Sequence, residues 1–390
     1  MEFGYWNYYN DDFKWDFNSD LLLPDYDHTI TLLQSNGLTM EEAVKFYRSG
    51  YVSFKDQEII IDRLYGGPLR SYDMCSRFSP REVIGLLNAT PKSRISVEKA
   101  KSYEELKDIV NAVKKDRNIV LRGQTRNHSI TREINNPYFT IPEIGEVSLL
   151  PSLWRKMYKQ NPHSYDSFCT LSLFEWSNVF FSAFDIDEIE RRHQELLNQG
   201  QHIYSMSDME DCDDPLLSKF GKFRMDLAMG MNYNLATTLT TLLQHYGLLS
   251  PVLDLTESLE VALFFATHQY KCNNGISSYH FLGSNNKQAV IYLIDYNKNE
   301  MEKHNERDEF LSYLEPQRPK AQKCVVSRCG EYSINLPTFY LREMIFLDFD
   351  ISENVSNLGV KDIFPDKNSD KFLKAISEKL HKTEYVTIFN

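Results

Sequence analysis

The segment from Gln244 to Ser258 holds the residue types best suited to chemistry in this chain. It opens with Gln244, His245 and Tyr246, and it closes with Asp254, Thr256, Glu257 and Ser258 directly before an apolar run. Side-chain oxygens at such a position accept hydrogen bonds from the first N–H groups of a helix, and carboxylates are favoured there. Two interpretations stay open: these residues cap a buried helix, or they form a rigid mount for a polar site.

His245 is the candidate general base of this segment, because an imidazole titrates near neutral pH. The chain offers no matching serine nucleophile, since Ser152 and Ser250 lack the glycine-flanked turn of a hydrolase. A hydrogen-bonded core histidine is the alternative interpretation.

A second polar group follows the apolar run 118–121, which predicts a short strand. Arg122 and Gln124 would lie at the end of that strand, held rigidly by the sheet. A planar guanidinium can bind a pyrophosphate through two parallel hydrogen bonds, so Arg122 is a candidate ligand-binding residue. The alternative is a structural arginine paired with a buried carboxylate.

Motifs for metals and nucleoside triphosphates are missing from the sequence. The six cysteines form no Cys-x-x-Cys pair and no Cys/His spacing typical of zinc. The acidic segment 208–214 lacks the glycine and the ligand spacing of a calcium loop, and Gly221 to Gly230 does not end in Gly-Lys-Ser/Thr. We therefore expect no metal.

Composition limits the partners and the compartment. The net charge is −12, which disfavours general nucleic-acid binding. The cysteine pattern suits reduced thiols. No basic region precedes an apolar run at the N-terminus, and no apolar stretch approaches the ~20 residues that span a bilayer. We expect a cytoplasmic protein that does not enter membranes.

The periodic segments predict an α+β fold in which a helical N-terminal region precedes a large domain with a central mixed β-sheet flanked by helices. Capping boxes at Thr39 and Ser79 place short helices in the first region. The predicted strands are 118–124, 289–295, 321–327 and 339–347; the predicted helices include 102–113, much of 160–245, and 259–266. The expected boundaries are 1–93 for the helical region, 94–380 for the domain and 381–390 for a tail.

Several segments of the domain, in this order, resemble the FRG-domain family, which is named for a (Phe/Tyr)-Arg-Gly motif. They are Leu121 to Gln124, Leu150 to Arg155, Gln244 to Ala266, Arg318 to Val326, and Gly359 to Asp366. The resemblance spans about residues 95–380. Leu121 stands where the family has an aromatic residue, and the glycine and phenylalanine of the family's Gln-Gln-Gly-x-Phe are missing after Gln322.

The domain also resembles ADP-ribosyltransferases, and that resemblance implies NAD as the cofactor. Those enzymes carry an arginine or histidine on a first strand, a Ser/Thr-rich strand before a buried helix, and an acidic or amide residue on a later strand. The matching residues are Arg122, the segment 256–258 and Gln322. No Gln-x-Glu or Glu-x-Glu pair lies on the Gln322 strand.

The roles implied by this resemblance are specific. Arg122 would bind the pyrophosphate, Thr256 or Ser258 the ribose, and Tyr246 would stack on the nicotinamide. Glu257 or Gln322 would orient the acceptor or stabilise an oxocarbenium-like centre. Toxin and defence systems are a common setting for such domains.

A non-catalytic module is the alternative function. Arg122, Arg155, Gln244, His245 and Asp254 would then form a buried polar network that holds a small anionic ligand or a protein partner, or that only fixes the fold.

Overall fold

A computed structural model of the chain describes residues 26–54, 57–65, 77–155, 184–228, 240–242, 244–247, 250–273, 276–303, 315–329 and 333–374. Its helices are α1 (Tyr26–Ser35), α2 (Met40–Arg48), α3 (Pro80–Ile84), α4 (Tyr103–Asp116), α5 (Ile186–Asn198), α6 (Met206–Glu210), α7 (Pro215–Ala228), α8 (Leu259–Thr267), α9 (Arg318–Ala321), α10 (Leu336–Phe339) and α11 (Val360–Ile363).

The strands are β1 (Tyr51–Val52), β2 (Ile60–Asp62), β3 (Arg77–Phe78), β4 (Ser96–Ala100), β5 (Ile119–Gln124), β6 (Thr140–Ile141), β7 (Gly145–Glu146), β8 (Val252–Thr256), β9 (His268–Asn273), β10 (Ile276–Phe281), β11 (Val290–Asp295), β12 (Met301–Lys303), β13 (Cys324–Arg328) and β14 (Leu341–Leu347).

A seven-stranded sheet with the order β12-β13-β8-β5-β11-β14-β4 forms the centre of the fold. Its neighbours pair antiparallel except β4 and β14, which are parallel. The sheet is therefore mixed, and the flanking helices confirm the α+β class predicted from the sequence.

The two faces of this sheet bury different cores, because successive side chains of a strand point to opposite sides. On β5, Leu121 packs with Leu263 and other α8 residues. Val120 packs on the opposite face with Trp154 and Tyr292. Trp154 is fully buried and donates from its indole nitrogen to the carbonyl of Cys329. This second core anchors the segment around Arg155.

Gly123 allows α8 to lie directly on β5. A Cβ built at this position would be 1.7 Å from the carbonyl oxygen of Ala262 and 2.9 Å from the amide nitrogen of Ala266. No side chain fits in that space. The glycine of the Arg-Gly pair is thus explained by helix–sheet packing, while Arg122 points to the other face.

The N-terminal region contains more than the predicted helices. Capping boxes at Thr39 and Ser79 start α2 and α3 as expected. The short strands β1, β2 and β3 form a separate three-stranded sheet that sequence periodicity did not predict. Strands of two or three residues carry too little alternation to be recognised.

Several predicted elements need correction. The predicted strand 321–327 begins only at Cys324, and Gln322 lies in the turn between α9 and β13. Neither β8, the strand directly before Glu257 and Ser258, nor the hairpin of β9 and β10 is among the strands predicted from periodicity. Residues 160–183 of the predicted helical stretch lie outside the described part of the chain.

Within the described segments, no helix combines the length and the apolar character needed to cross a membrane.

Candidate functional site

Arg122 occupies a gap in the central sheet. Strands β5 and β8 pair only through Leu121 and Thr256, so they separate towards Asp254. The Arg122 guanidinium enters this gap, and its Nη1 donates to the carbonyl oxygen of Asp254 at 2.5 Å. Burial lowers the pKa of Arg122, and the nearby Asp254 carboxyl opposes that shift. The predicted arginine is therefore placed beside the predicted aspartate, although it contacts the backbone of that residue.

His245, Asp254 and Cys324 form a compact cluster next to Arg122. The His245 Nε2 atom lies 3.0 Å from Cys324 Sγ and 3.6 Å from Asp254 Oδ1. His245 and Cys324 are both 3% exposed, and the Asp254 side chain is 23% exposed. Three segments far apart in the sequence thus bring an imidazole, a thiol and a carboxyl together.

The environment changes the protonation of all three groups. Burial raises the pKa of Asp254 to about 7, although the Arg122 charge and Gln244 act in the opposite direction. Burial lowers the pKa of His245 to about 3, assisted by the Arg318 charge and opposed by the Gln322 side chain. Burial and the Asp254 charge raise the pKa of the Cys324 thiol. At neutral pH the imidazole and the thiol are uncharged, and the Asp254 carboxyl titrates.

Arg318 closes the cluster from the α9 side. It is fully buried, its Nη1 donates to the carbonyl oxygen of His245 at 3.2 Å, and its guanidinium lies 4.9 Å from the centre of the Tyr246 ring. The Tyr246 hydroxyl donates to Asp370. Tyr246, which the sequence predicted to stack on the nicotinamide, is only 2% exposed, and Arg318 lies against its ring.

Gln322 contributes to the same region through both its backbone and its side chain. Its Nε2 donates to the carbonyl oxygen of Ile363, and its own carbonyl accepts from Thr256 Oγ1 at 2.8 Å. The Gln322 side chain also acts on His245. Thr256 joins β8 to the turn after α9.

Glu257 and Ser258 make their ion pair and hydrogen bonds with residues outside the His245–Asp254–Cys324 cluster. The exposed Glu257 carboxylate pairs with Lys303 at 2.6 Å, and its carbonyl accepts from Lys114. Ser258 caps α8 by accepting from the amide of Val261. The helix-capping interpretation of this segment therefore holds for Ser258.

Several cationic side chains lie near Arg122 at the end of β5. Burial lowers the pKa of Arg155, and the charge of Arg122 lowers it further. Burial lowers the pKa of His128, and the charges of Arg126, Arg155 and Arg122 lower it further. No ion pair joins any of these three arginines to a carboxylate side chain of the described residues. We call Arg122, Arg126 and Arg155 the arginine cluster.

Gln124 lies at the edge of the arginine cluster. The Tyr292 hydroxyl, across from Arg122 on β11, lies 3.1 Å from Gln124 Oε1 and 2.9 Å from Asn127 Oδ1, which share its single donor proton. This bridge fixes the end of β5, where the sequence predicted a rigid position.

Sequence reasoning did not identify Cys324, Arg318, Arg126 or His128 as site residues. Arg126 and His128 follow Gln124 within four residues, so their closeness to Arg122 was a usable signal. The contacts of Cys324 and Arg318 depend on how β13 and α9 pack, for which no local pattern exists.

A cavity of about 620 Å³ lies away from these residues, where the end of β11 meets the start of β14. It is lined by Lys92, Arg94, Ile95, Tyr138, Phe139, Asp295, Thr338, Phe339, Tyr340, Leu341 and Arg342. None of the predicted site residues lines it.

Comparison with known proteins identifies one family. Residues 146–275 match the family model described as the FRG domain, a span that includes Arg155 and the Gln244–Ser258 segment but not Arg122 or Gln322. No curated protein and no solved structure matches the chain. The segment resemblance seen in the sequence is thus confirmed for its central part: this chain contains an FRG domain.

Proposed function

We propose that this protein is an intracellular receptor for a phosphate-bearing small molecule, bound at the arginine cluster. The observation that carries the proposal is that the positive charges of Arg122, Arg126 and Arg155 all act on His128, while no carboxylate side chain of the described residues forms an ion pair with any of the three.

Electrostatics supports an anionic ligand. Like charges near one another repel: burial is the main cause of the lowered pKa of Arg155, and the charge of Arg122 lowers it further. A bound phosphate removes that repulsion and accepts paired hydrogen bonds from planar guanidinium groups. Gln124, held by Tyr292, lies beside these cations and supplies an amide for a neighbouring polar group of the ligand.

NAD is the first ligand to test, because its pyrophosphate carries the required charges and because the resemblance to ADP-ribosyltransferases implies it. ADP-ribosyl transfer is the reaction that this ligand would undergo, in the setting of a toxin or defence effector. Glu257 and Gln322 are the acceptor-side candidates in that reaction.

The alternative is a ligand-binding or protein-interaction module without turnover. The hydrogen bond from Arg122 to the Asp254 carbonyl favours this alternative. A guanidinium that is already bonded to the backbone contributes a fixed positive charge to the binding site. In that case the ligand is held and released unchanged.

Isothermal titration calorimetry with NAD, ADP-ribose and inorganic pyrophosphate tests the binding proposal. Arg155→Gln and Arg126→Gln should weaken binding about 10- to 100-fold, since hydrogen bonds to charged groups contribute about 1.5–3 kcal/mol. Arg81→Gln, which removes an exposed arginine of α3, is the matched control and should bind as the wild type does. Absence of binding in the wild type, or equal losses in all three variants, would overturn the proposal.

Turnover is measured separately with NAD labelled in the adenosine part, in the presence of cell extract. The wild type should transfer label to protein or release nicotinamide. If the rate of either process is lower in Glu257→Gln or Gln322→Ala, the protein is a transferase. Binding without either product assigns the non-catalytic module.

A further inference from the structure

Three metal-ligand atoms converge near Arg122: one ring nitrogen of His245, one carboxylate oxygen of Asp254 and Cys324 Sγ all lie within 4.8 Å of one another. They come from the helical residues 244–245, from β8 and from the start of β13. We propose that His245, Asp254 and Cys324 bind one transition-metal ion, with Zn²⁺ as the expected occupant.

The distances between these atoms fit a tetrahedral ion with small side-chain adjustments. Zinc lies about 2.3 Å from sulfur and about 2.0–2.2 Å from nitrogen or oxygen, so its ligand atoms are about 3.3–3.6 Å apart. The observed distance from His245 Nε2 to Asp254 Oδ1 is 3.6 Å. The distance from Nε2 to Cys324 Sγ is 3.0 Å and must lengthen by about half an ångström for the N–Zn–S geometry, which a rotation of the cysteine side chain provides.

The orientation of the imidazole separates a metal site from a Cys-His-Asp catalytic triad. In a triad the acid binds one ring nitrogen of the histidine and the nucleophile binds the other. Here the thiol and the carboxyl both face the same nitrogen, Nε2. Asp254 Oδ1 is buried and accepts no hydrogen bond from the described residues, which leaves it available to a cation.

The donor set determines which metal is expected. A thiolate with an imidazole selects zinc and similar ions over Mg²⁺ and Ca²⁺, which prefer oxygen ligands. A thiolate and a carboxylate together balance the charge of a divalent ion, and the Cys324 proton passes to solvent as the metal binds. The partly exposed Asp254 side chain gives the ion a path of entry. Three protein ligands leave one coordination position for water or another ligand.

Metal binding to the full-length protein, first dialysed against a chelator, tests the inference. One equivalent of Zn²⁺ should bind, as measured by competition with a chromogenic chelator. Co²⁺ should produce thiolate-to-metal charge-transfer absorption together with the visible bands of a tetrahedral ion. Cys324→Ser should abolish the charge-transfer band and weaken Zn²⁺ binding more than about 100-fold, because changes to outer-shell partners alone cost about 10–100-fold.

The controls keep the result independent of folding and of the anion proposal. Asp254→Asn keeps the size of the side chain and the backbone carbonyl that Arg122 uses, and it should also weaken Zn²⁺ binding while circular dichroism is unchanged. Cys212→Ser removes a cysteine between α6 and α7 that contacts Asp214, and it should leave Zn²⁺ binding and the cobalt charge-transfer band as in the wild type. Failure of the wild type to bind stoichiometric Zn²⁺, or retention of the cobalt charge-transfer band in Cys324→Ser, would overturn the inference. Neither readout involves NAD, so the two proposals fail separately.

Discussion

At the scale of single residues, burial rather than residue type decides the chemistry of the site. Asp254 and His245 would ordinarily titrate in the opposite order, with the carboxyl losing its proton first. Burial moves the pKa of Asp254 up to about 7 and that of His245 down to about 3. Groups perturbed in this way occur preferentially at functional sites, although structural networks also perturb them.

Glu343 shows the same effect outside the site. It lies on β14 next to β4, it is 8% exposed, and its Oε1 has no hydrogen-bond partner in the described residues. Burial, the charge of Glu98 and a hydrogen bond with Glu98 raise the pKa of Glu343 to about 7. The stability that this group contributes is therefore complete below the ordinary pKa of 4.5 and is lost as the pH rises through about 7.

Glu343→Gln should remove this pH dependence. We expect the variant to be more stable than the wild type at pH 8.5, by roughly 1–3 kcal/mol, and nearly equal at pH 5, since a neutral amide has no charge to bury. Urea denaturation at the two pH values measures the difference. Glu190→Gln, an exposed position on α5, should show no such change; an equal gain at both pH values in Glu343→Gln would contradict the explanation.

At the scale of elements, the position of Arg122 depends on the contact between β5 and α8. The helix packs against the backbone of Gly123, and Arg122 is turned to the opposite face because side chains alternate along a strand. In the Arg-Gly pair, Gly123 therefore lets α8 pack on β5, and this packing places the Arg122 guanidinium on the opposite face of the sheet.

Gly123→Ala should destabilise the protein by about 1–3 kcal/mol or more, because overpacking a filled core forces the backbone to move. The added Cβ would lie 1.7 Å from the Ala262 carbonyl oxygen. Thermal unfolding followed by circular dichroism measures the loss. Gly359→Ala is the control, since its nearest neighbour would be a side-chain oxygen at 3.5 Å, and a comparable loss there would contradict the argument.

At the scale of the whole molecule, a buried charge network joins the N-terminal region to the rest of the chain. Arg132 donates to both carboxylate oxygens of Asp62 and of Glu146, and to the carbonyl of Ser49. The three charged side chains are at most 1% exposed. Tyr65 donates to Glu146 at 2.5 Å. One cation thus holds two carboxylates that lie far apart in the sequence.

Arg132→Met should cost about 3–5 kcal/mol, because it leaves two carboxylates buried without their cation. Arg191→Met removes an exposed arginine that pairs with two glutamates of α5, and it should cost no more than about 1 kcal/mol. Chemical denaturation of both variants compares the two. Similar losses of unfolding free energy in the two variants would contradict the conclusion that the Arg132 network stabilises the contact between the N-terminal region and the rest of the chain.

The proposed boundary at residue 94 leads to a further prediction. The fragment 94–380 lacks Asp62 and exposes apolar neighbours of Leu64 and Tyr65, which belong to the main core. We expect it to be digested by proteases faster than the full chain, and to be protected when the fragment 1–93 is added in trans. Equal protease resistance of the isolated fragment and the full chain would show that the boundary separates independent units.

Local sequence determined those features that depend on near neighbours. The capping boxes at Thr39 and Ser79, the strand before Arg122, the buried strand 290–295 and the cap at Ser258 were all predicted, because each depends on residues within one or two turns. The FRG-like segments and their order could also be recognised from the sequence. The grouping of Arg122 with residues 256–258 and Gln322 came from the resemblance to ADP-ribosyltransferases, and its grouping with His245 and Asp254 belonged to the alternative of a polar network.

Only the tertiary structure decided which side chains share a site. The separation of β5 from β8 admits Arg122, and the pairing of β13 with β8 brings Cys324 to His245 and Asp254. Metal-ligand spacing in the sequence gave no sign of that cluster, because its members are supplied by three elements rather than by one loop. Strand pairing over long sequence distances sets such contacts, and the free energy that fixes it comes from burying both faces of the sheet.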